Sequence, residues 1–176
     1  MNTLSAISSL APFTHGGLLA RNLSSLYAPP APKWIAVRQR FEQFHRNLSL
    51  TALQQQDAQT KFAGVVGCLN RHYYGTSSAR DNAFAIGSWG KGTAIRPPRD
   101  IDLYFLLPVN VYNRFQVYRG NRQSALLQEV KEELADTYPD TDMRGDGQVV
   151  VVRFESYSVE VAPAFLLTNG RYFICN

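Results

Sequence analysis

The sequence has 176 residues, 45% of them hydrophobic, and this length and composition favour a folded domain over a disordered chain. The net charge of +4 arises within residues 1–50, and this small, local excess of basic residues gives no reason to expect nucleic acid as the substrate. No apolar run approaches the roughly 20 residues of a membrane-spanning helix. The two cysteines, Cys68 and Cys175, form neither a disulfide framework nor a zinc pattern, so we expect a cytoplasmic protein with no membrane partner.

The first half of the sequence predicts helices. Residues 1–32 are expected to form an irregular N-terminal lead-in that ends in a proline-rich run. Apolar residues then recur at helical spacing; they are Trp34, Val37, Phe41, Phe44 and Leu48. A second helix is predicted to begin after Thr51, a suitable N-cap residue. Its buried stripe is expected to contain Leu53, Ala58, Phe62, Val65, Val66 and Leu69, and residues 75–78 indicate a loop.

From residue 82 onward the sequence is rich in strand-forming residues. The segment AFAIGS has strand composition, DIDLYFLLP is the strongest strand candidate, and residues 122–138 have the pattern of an amphipathic helix. Gly145 and Gly147 indicate a turn, and two β-rich runs separated near Ser156 follow it. The dipeptide Asn169-Gly170 predicts a hairpin. This order predicts an α+β fold with a mixed β-sheet flanked by helices.

Two aspartates on the strongest strand candidate are the first sign of chemistry. Side chains alternate between the faces of a strand, so Asp100 and Asp102 point to the same side. Two carboxylates this close repel each other, and a divalent cation removes the repulsion because hard cations prefer carboxylate oxygens. The alternative is an exposed strand edge that carries such a pair harmlessly, and the pair by itself does not exclude it.

Glu160 is a third acidic candidate, because it lies between Val159 and Val161 in a β-rich, apolar segment. An unpaired buried charge is costly, so this carboxylate must face water, a base or a metal. If its strand lies beside that of Asp100 and Asp102, the three carboxylates can hold two Mg²⁺ ions, or Mn²⁺ in their place. An exposed glutamate on an edge strand is the other interpretation.

A glycine-rich segment, GSWGKGT, precedes the aspartate pair. Glycines let the backbone approach an anion closely, and the N–H groups of such a loop can bind phosphate oxygens. Ser88 adds a hydroxyl and Lys91 a positive charge. The spacing does not match a Walker A loop, but the position between two predicted strands, just before Asp100, suits nucleoside triphosphate chemistry.

The segment GSWGKGTAIRPPRDIDLYFLLP resembles the signature of the DNA polymerase beta-like nucleotidyltransferases. More narrowly, it is similar to the bacterial cGAS/DncV-like enzymes, the SMODS-type synthases of cyclic oligonucleotides. LTALQQQDAQTKFAGVVGCLNRHYYG resembles the helix before the family's Gly-Ser strand, and MRGDGQVVVVRFESYSVEVAPAF its later strands. The resemblance covers residues 33–176 and implies a polymerase-beta-like nucleotidyltransferase lobe there.

The resemblance also implies roles for individual residues. The catalytic metal ligands would be Asp100, Asp102 and Glu160, the last at a position where the family often has aspartate. The nucleotide-binding residues would be Gly87, Ser88, Lys91 and Thr93. The implied enzyme is a metal-dependent nucleotidyltransferase that joins nucleoside triphosphates into a cyclic second messenger for antiphage defence, with regulatory or effector proteins as partners.

The sequence departs from the family in length, because family members continue into a C-terminal helical lobe that closes the nucleotide cleft. This chain is expected to lack that lobe, since it stops at Asn176. Two alternatives therefore stay open. The chain is a non-catalytic lobe that binds nucleotide or a partner, or it is a nucleotidyltransferase that acts on a protein, a drug or an RNA end.

Overall fold

The computed structural model describes residues 33–174. The predicted lead-in of residues 1–32 and Cys175 lie outside this part of the chain. Two units are distinguished, residues 1–43 and residues 44–176, and the boundary falls within the first helix, α1 (Ile35–Leu48). The helix predicted from the apolar spacing is present. Phe44, the first residue of the second unit, is 59% exposed.

The second helix, α2 (Ala52–Tyr74), begins where the sequence predicts. The Thr51 hydroxyl accepts a hydrogen bond from the amide of Gln54 at 3.2 Å, and the Gln54 side chain accepts one from the amide of Thr51 at 2.9 Å. This reciprocal capping box satisfies two amides that the helix leaves without a partner. At the other end, Gly75 adopts a left-handed conformation (φ +66°) that ends the helix.

The predicted buried stripe of α2 is correct except at its first position. Ala58, Val65, Val66 and Leu69 are all buried, and Phe62 packs against the same core. Leu53 is 77% exposed, so the prediction that it is buried was wrong. At about 100° per residue, position 53 lies roughly 140° around the helix from Ala58, which places it on the solvent side.

The sheet is mixed, as predicted. Its strands are β1 (Ala83–Ala85), β2 (Asp100–Leu106), β3 (Asp142–Asp146), β4 (Val149–Arg153), β5 (Ser158–Leu166) and β6 (Tyr172–Ile174). The strand order is β1-β2-β5-β4-β3, and β6 pairs with β5 as the predicted hairpin partner. The β2–β5 pair is parallel, and every other pair between the described strands is antiparallel.

One face of this sheet is covered by α2 and by α5 (Arg122–Thr137). Strand β2 contributes Ile101, Leu103 and Phe105 to the core, each at most 2% exposed. Strand β5 contributes Val159 and Val161, both fully buried. Because side chains alternate along a strand, the intervening residues of β2 and β5 face the opposite side of the sheet.

Three elements were missed from the sequence or assigned differently. The helix α4 (Val109–Gln116) follows β2, and Gly87–Gly90 forms a single helical turn, α3, where a loop was predicted. Gly145 lies within β3, so the predicted turn includes Gly147 but not Gly145. No helix between residues 33 and 174 has the length and hydrophobicity needed to cross a membrane.

A buried asparagine fixes the loop between α2 and β1. Asn70 is fully buried, and its amide nitrogen donates to the carbonyl oxygens of Ser78 and Asp81, both at 2.8 Å. Its amide oxygen accepts from the side chain of Asn82 at 2.8 Å. All three bonds hold the backbone that leads into β1, which is the strand directly before Gly87.

Replacing this side chain will therefore destabilise the fold. Asn70→Ala removes three hydrogen bonds of a fully buried side chain and leaves the carbonyl oxygens of Ser78 and Asp81 without these donors. We expect this to lower the free energy of unfolding by about 2–4 kcal/mol. The matched control is Asn113→Ala on the exposed side of α4, which we expect to change it by less than about 0.5 kcal/mol. Urea denaturation of both variants measures the difference. Equal midpoints for the two variants would contradict this role of Asn70.

Candidate active site

The three predicted carboxylates meet on the face of the sheet opposite the core. Asp102 lies directly beside Glu160 in the parallel ladder of β2 and β5, and Asp100 lies beside Ser158. One carboxylate oxygen from each of Asp100, Asp102 and Glu160 lies within 4.8 Å of the other two. We call these residues the acidic cluster. Nearly 60 residues of sequence separate Glu160 from the aspartates, and the parallel pairing brings them together.

The register of this pairing is fixed by the apolar residues between the acids. Ile101 pairs with Val159 and Leu103 pairs with Val161, and all four side chains are buried in the core. A slip of one residue would turn these side chains into solvent and the carboxylates into the core. Hydrophobic burial on one face thus determines which carboxylates meet on the other.

The cluster is electrostatically unfavourable without a cation. Burial raises the pKa of Asp102, and the nearby charge of Asp100 raises it further. Burial also raises the pKa of Glu160, with added contributions from Asp102, Asp100 and Asp146 and an opposing one from Arg144. Both causes disfavour the charged carboxylate, and a divalent cation offsets both. Three convergent carboxylates are also the donor type that Mg²⁺ and Mn²⁺ prefer, so the residues present fit such an ion.

The Gly-Ser turn packs directly against this cluster. Gly87 has a φ of +58°, and a Cβ atom at this position would lie 1.9 Å from Oδ2 of Asp102. Only glycine fits there, both for its backbone conformation and for the space available. The amide of Ile86 donates to the carbonyl oxygen of Asp102 at 2.9 Å, which fixes the turn to β2.

The other predicted phosphate-binding residues lie on the following segment. Ser88, Lys91 and Thr93 are all exposed. The amides of Lys91 and Thr93 donate to the carbonyl oxygens of Gly87 and Ser88, at 3.2 and 2.8 Å. These two amides are therefore engaged within the turn. The groups that remain to meet an anion are the Ser88 hydroxyl, the Lys91 ammonium and the amides of the first helical turn, which have no partner within the helix.

Two residues near the cluster were missed in the sequence analysis. Trp89 donates from its indole nitrogen to the carbonyl oxygen of Asp100 at 2.8 Å. Arg144 lies in the same cross-strand row as Glu160, with Val151 between them, and so shares the face of the cluster. Trp89 had a signal, since it directly follows Gly-Ser. Arg144 had none, because its place depends on the pairing of β3 with β4.

Comparisons with known proteins agree with this geometry. The family model described as "Second Messenger Oligonucleotide or Dinucleotide Synthetase domain" (SMODS) matches residues 35–176. A search of curated proteins gave no match.

Among solved structures, the chain is similar to a chain of the CdnC:HORMA-deltaN complex of E. coli MS115-1. The identity is 17% and the TM-score 0.52, over 74% of this chain and 43% of that one. The structure of CdnC from the same source with ATP has 17% identity and a TM-score of 0.46, over 73% of this chain and 44% of that one. The CdnE c-UMP-AMP synthase of Rhodothermus marinus has 17% identity and a TM-score of 0.40, over 66% of this chain and 45% of that one. This chain thus spans less than half the length of each matched chain.

The first of these structures supports the fold alone, and it agrees with the α+β architecture predicted from the sequence. The family model carries more weight, because it matches most of the chain, from α1 through the Gly-Ser turn, the aspartate strand and the strand of Glu160. The chain therefore belongs to the SMODS family of nucleotidyltransferases.

Proposed function

We propose that this chain provides the catalytic lobe of a nucleotidyltransferase that joins nucleoside triphosphates into a cyclic di- or oligonucleotide second messenger. The observation that carries the proposal is the convergence of Asp100, Asp102 and Glu160 within 4.8 Å, against the Gly-Ser turn, in a chain of the SMODS family. Antiphage defence is the proposed biological role, and the product would act on a separate effector protein.

The proposed roles follow from the positions of the side chains. Asp100, Asp102 and Glu160 would hold two Mg²⁺ ions, or Mn²⁺. When bound, such ions lower the pKa of an attacking ribose hydroxyl and neutralise the charge that develops on pyrophosphate. Gly87 and Ser88 would bind the phosphates of the donor nucleotide, with Lys91 and Thr93 as further candidates.

The proposed reaction is an in-line displacement at the α-phosphorus of the donor. The bond from the acceptor hydroxyl oxygen to phosphorus forms as the bond from phosphorus to the pyrophosphate oxygen breaks. Catalysis then depends on position and charge rather than on a covalent enzyme intermediate. The strands suit this task because β2 and β5 are held by the core, so the carboxylates stand on a rigid support.

Residues 33–174 are proposed to provide the contacts to the metal and to the phosphates of the nucleotide. The chain spans 43% of the matched chain of the CdnC complex, so the described lobe corresponds to part of that protein. CdnC has been solved with ATP and with HORMA-deltaN. By analogy we propose ATP among the substrates of this chain and a regulatory protein among its partners.

A second candidate function is a lobe that binds nucleotide or a partner without turnover. The carboxylates would then hold a cation and a nucleotide, and no product would form. Synthesis by the chain separates the two candidates.

A synthesis assay tests the proposed function. The chain is incubated with labelled ATP, GTP, CTP and UTP and Mg²⁺ or Mn²⁺, and the products are digested with phosphatase. We expect a phosphatase-resistant cyclic product, reduced about a hundredfold or more in Asp102→Asn because one cation ligand is lost. Asp140→Asn, an exposed aspartate in the turn before β3, is the matched control and should keep activity within about twofold.

Each other result of this assay has a definite meaning. Nucleotide binding without product supports the non-catalytic lobe. Label on protein or RNA supports a different acceptor. Full synthesis by Asp102→Asn contradicts the assignment of the acidic cluster as the catalytic site.

Stability in the absence of metal provides a separate test of the cluster. Because folding raises the pKa of Asp102, its contribution to stability is present at low pH and is lost as pH rises through the folded-state pKa. At pH 7 the charged carboxylate is therefore a cost, and Asp102→Asn should raise the Tm of the metal-free protein by about a few degrees.

The difference in Tm between Asp102→Asn and the wild type should shrink toward zero as the pH is lowered to about 3. At that pH the aspartate of the wild type is protonated and is as neutral as the asparagine of the variant. Mg²⁺ should raise the Tm of the wild type and have little effect on that of the variant. Thermal melts with and without chelator measure both effects. If Asp102→Asn lowers the metal-free Tm at pH 7, the like-charge description of the cluster is wrong.

A further inference from the structure

Trp89 connects the Gly-Ser turn to the first aspartate of the cluster. The carbonyl oxygens of Asp100 and Asp102 are two residues apart on β2, so both point to the edge where β1 lies. The oxygen of Asp102 accepts from the amide of Ile86, directly after the end of β1. The oxygen of Asp100 lies beyond that strand and accepts from the indole nitrogen of Trp89 at 2.8 Å. The indole thus supplies a hydrogen bond to the edge of β2 at a position where β1 no longer pairs with it.

The same ring also contacts the segment that precedes Glu160. The rings of Trp89 and Tyr157 lie 5.8 Å apart between centroids at an interplanar angle of 65°. Tyr157 is 2% exposed, immediately precedes β5, and donates from its hydroxyl to the carbonyl oxygen of Gln54 at 2.8 Å. Its own carbonyl accepts from the amide of Phe154 at 2.9 Å, which closes the turn between β4 and β5.

One partly buried side chain therefore touches the framework of both halves of the cluster. It contacts β2 at Asp100 and, through Tyr157, β5 three residues before Glu160. The amide of Ser158 completes the connection by donating to the carbonyl oxygen of Arg99 at 3.0 Å. These contacts lie at the start of β2 and β5.

We propose that Trp89 is a positioning residue that sets the separation of Asp100 from Glu160, acting through the carbonyl of Asp100 and the ring of Tyr157. The inference rests on the proposed function in so far as the cluster is taken to bind divalent cations. Trp89 itself does not touch the reacting atoms. Its contribution is geometric, and a shift of about 1 Å in a ligating group is enough to cost about a hundredfold in rate.

The variant Trp89→Phe separates the hydrogen bond from the packing, since it keeps an aromatic ring and removes the donor. We expect a folded protein in which the affinity for Mn²⁺, measured by calorimetry, falls about tenfold. Synthesis should fall about ten- to a hundredfold, mainly in kcat and with little change in KM for nucleotide. Trp34→Phe is the matched control, because Trp34 is the other tryptophan of the chain and lies in the other unit.

Nuclear magnetic resonance provides a readout that needs neither metal nor turnover. In Trp34→Phe the one remaining indole N–H signal belongs to Trp89, and Mn²⁺ should broaden it. In metal-free Trp89→Phe we expect the amide signals of Asp100 and Glu160 to shift from their wild-type positions. Asn113→Ala should leave both signals unchanged.

The outcomes distinguish this inference from the proposed function. If metal-free Trp89→Phe leaves the Asp100 and Glu160 signals in place, or binds Mn²⁺ within about twofold of the wild type, the inference is overturned. If those signals shift but the wild type binds no Mn²⁺, the positioning role stands and the proposed function fails. Should Trp89→Phe not fold, Tyr157→Leu carries the test, because it removes the ring that Trp89 contacts. It should weaken Mn²⁺ binding about threefold, and unchanged binding overturns the inference.

Discussion

The parallel pairing of β2 with β5 is the constraint on which this molecule depends, because it places Asp102 beside Glu160. The pairing joins strands that are distant in sequence. The acidic cluster that it creates is unfavourable by itself, because three carboxylates lie close together on one face of the sheet. What holds it is the opposite face, where the side chains between the acids are fully or almost fully buried. Burial of one such aliphatic side chain contributes about 1.5–3 kcal/mol, so several of them outweigh the repulsion between partly solvated charges.

The same architecture explains why the proposed nucleotidyltransferase site can be built on strands. The core fixes the backbone of β2 and β5, and the pleat then fixes the direction of every second side chain. A cation bound to this cluster would reduce the repulsion between carboxylates that the fold already holds together. The site therefore does not need to form around the ion. The carboxylates are therefore preorganised, which is the property that a reaction governed by position and charge requires.

The sequence predicts local features of this fold better than distant ones. Thr51 and Gln54 predict a helix start, and the alternation around Asp100 and Asp102 predicts which residues share a face, because both signals lie within a few residues. From the sequence, Glu160 could be placed near Asp100 and Asp102 only if their strands were assumed to be neighbours, because no local pattern says which strands pair. Strand β3 was missed for a related reason: its residues, DMRGD, have low strand propensity, and its pairing with the valine-rich β4 compensates for this.

The Gly-Ser turn and the aspartate pair are best regarded as one structural unit rather than two motifs. Ile86 donates to the carbonyl of Asp102, Trp89 donates to that of Asp100, and Gly87 leaves room for the Asp102 carboxylate. The turn is thus the edge partner of β2 at the point where β1 has ended. A side chain at position 87 would displace a carboxylate of the cluster, and loss of the donor at position 89 would remove a hydrogen bond from the start of β2. The residues that would bind phosphate and those that would bind metal are therefore held in register by hydrogen bonds to the backbone of β2, whatever nucleotide the protein selects.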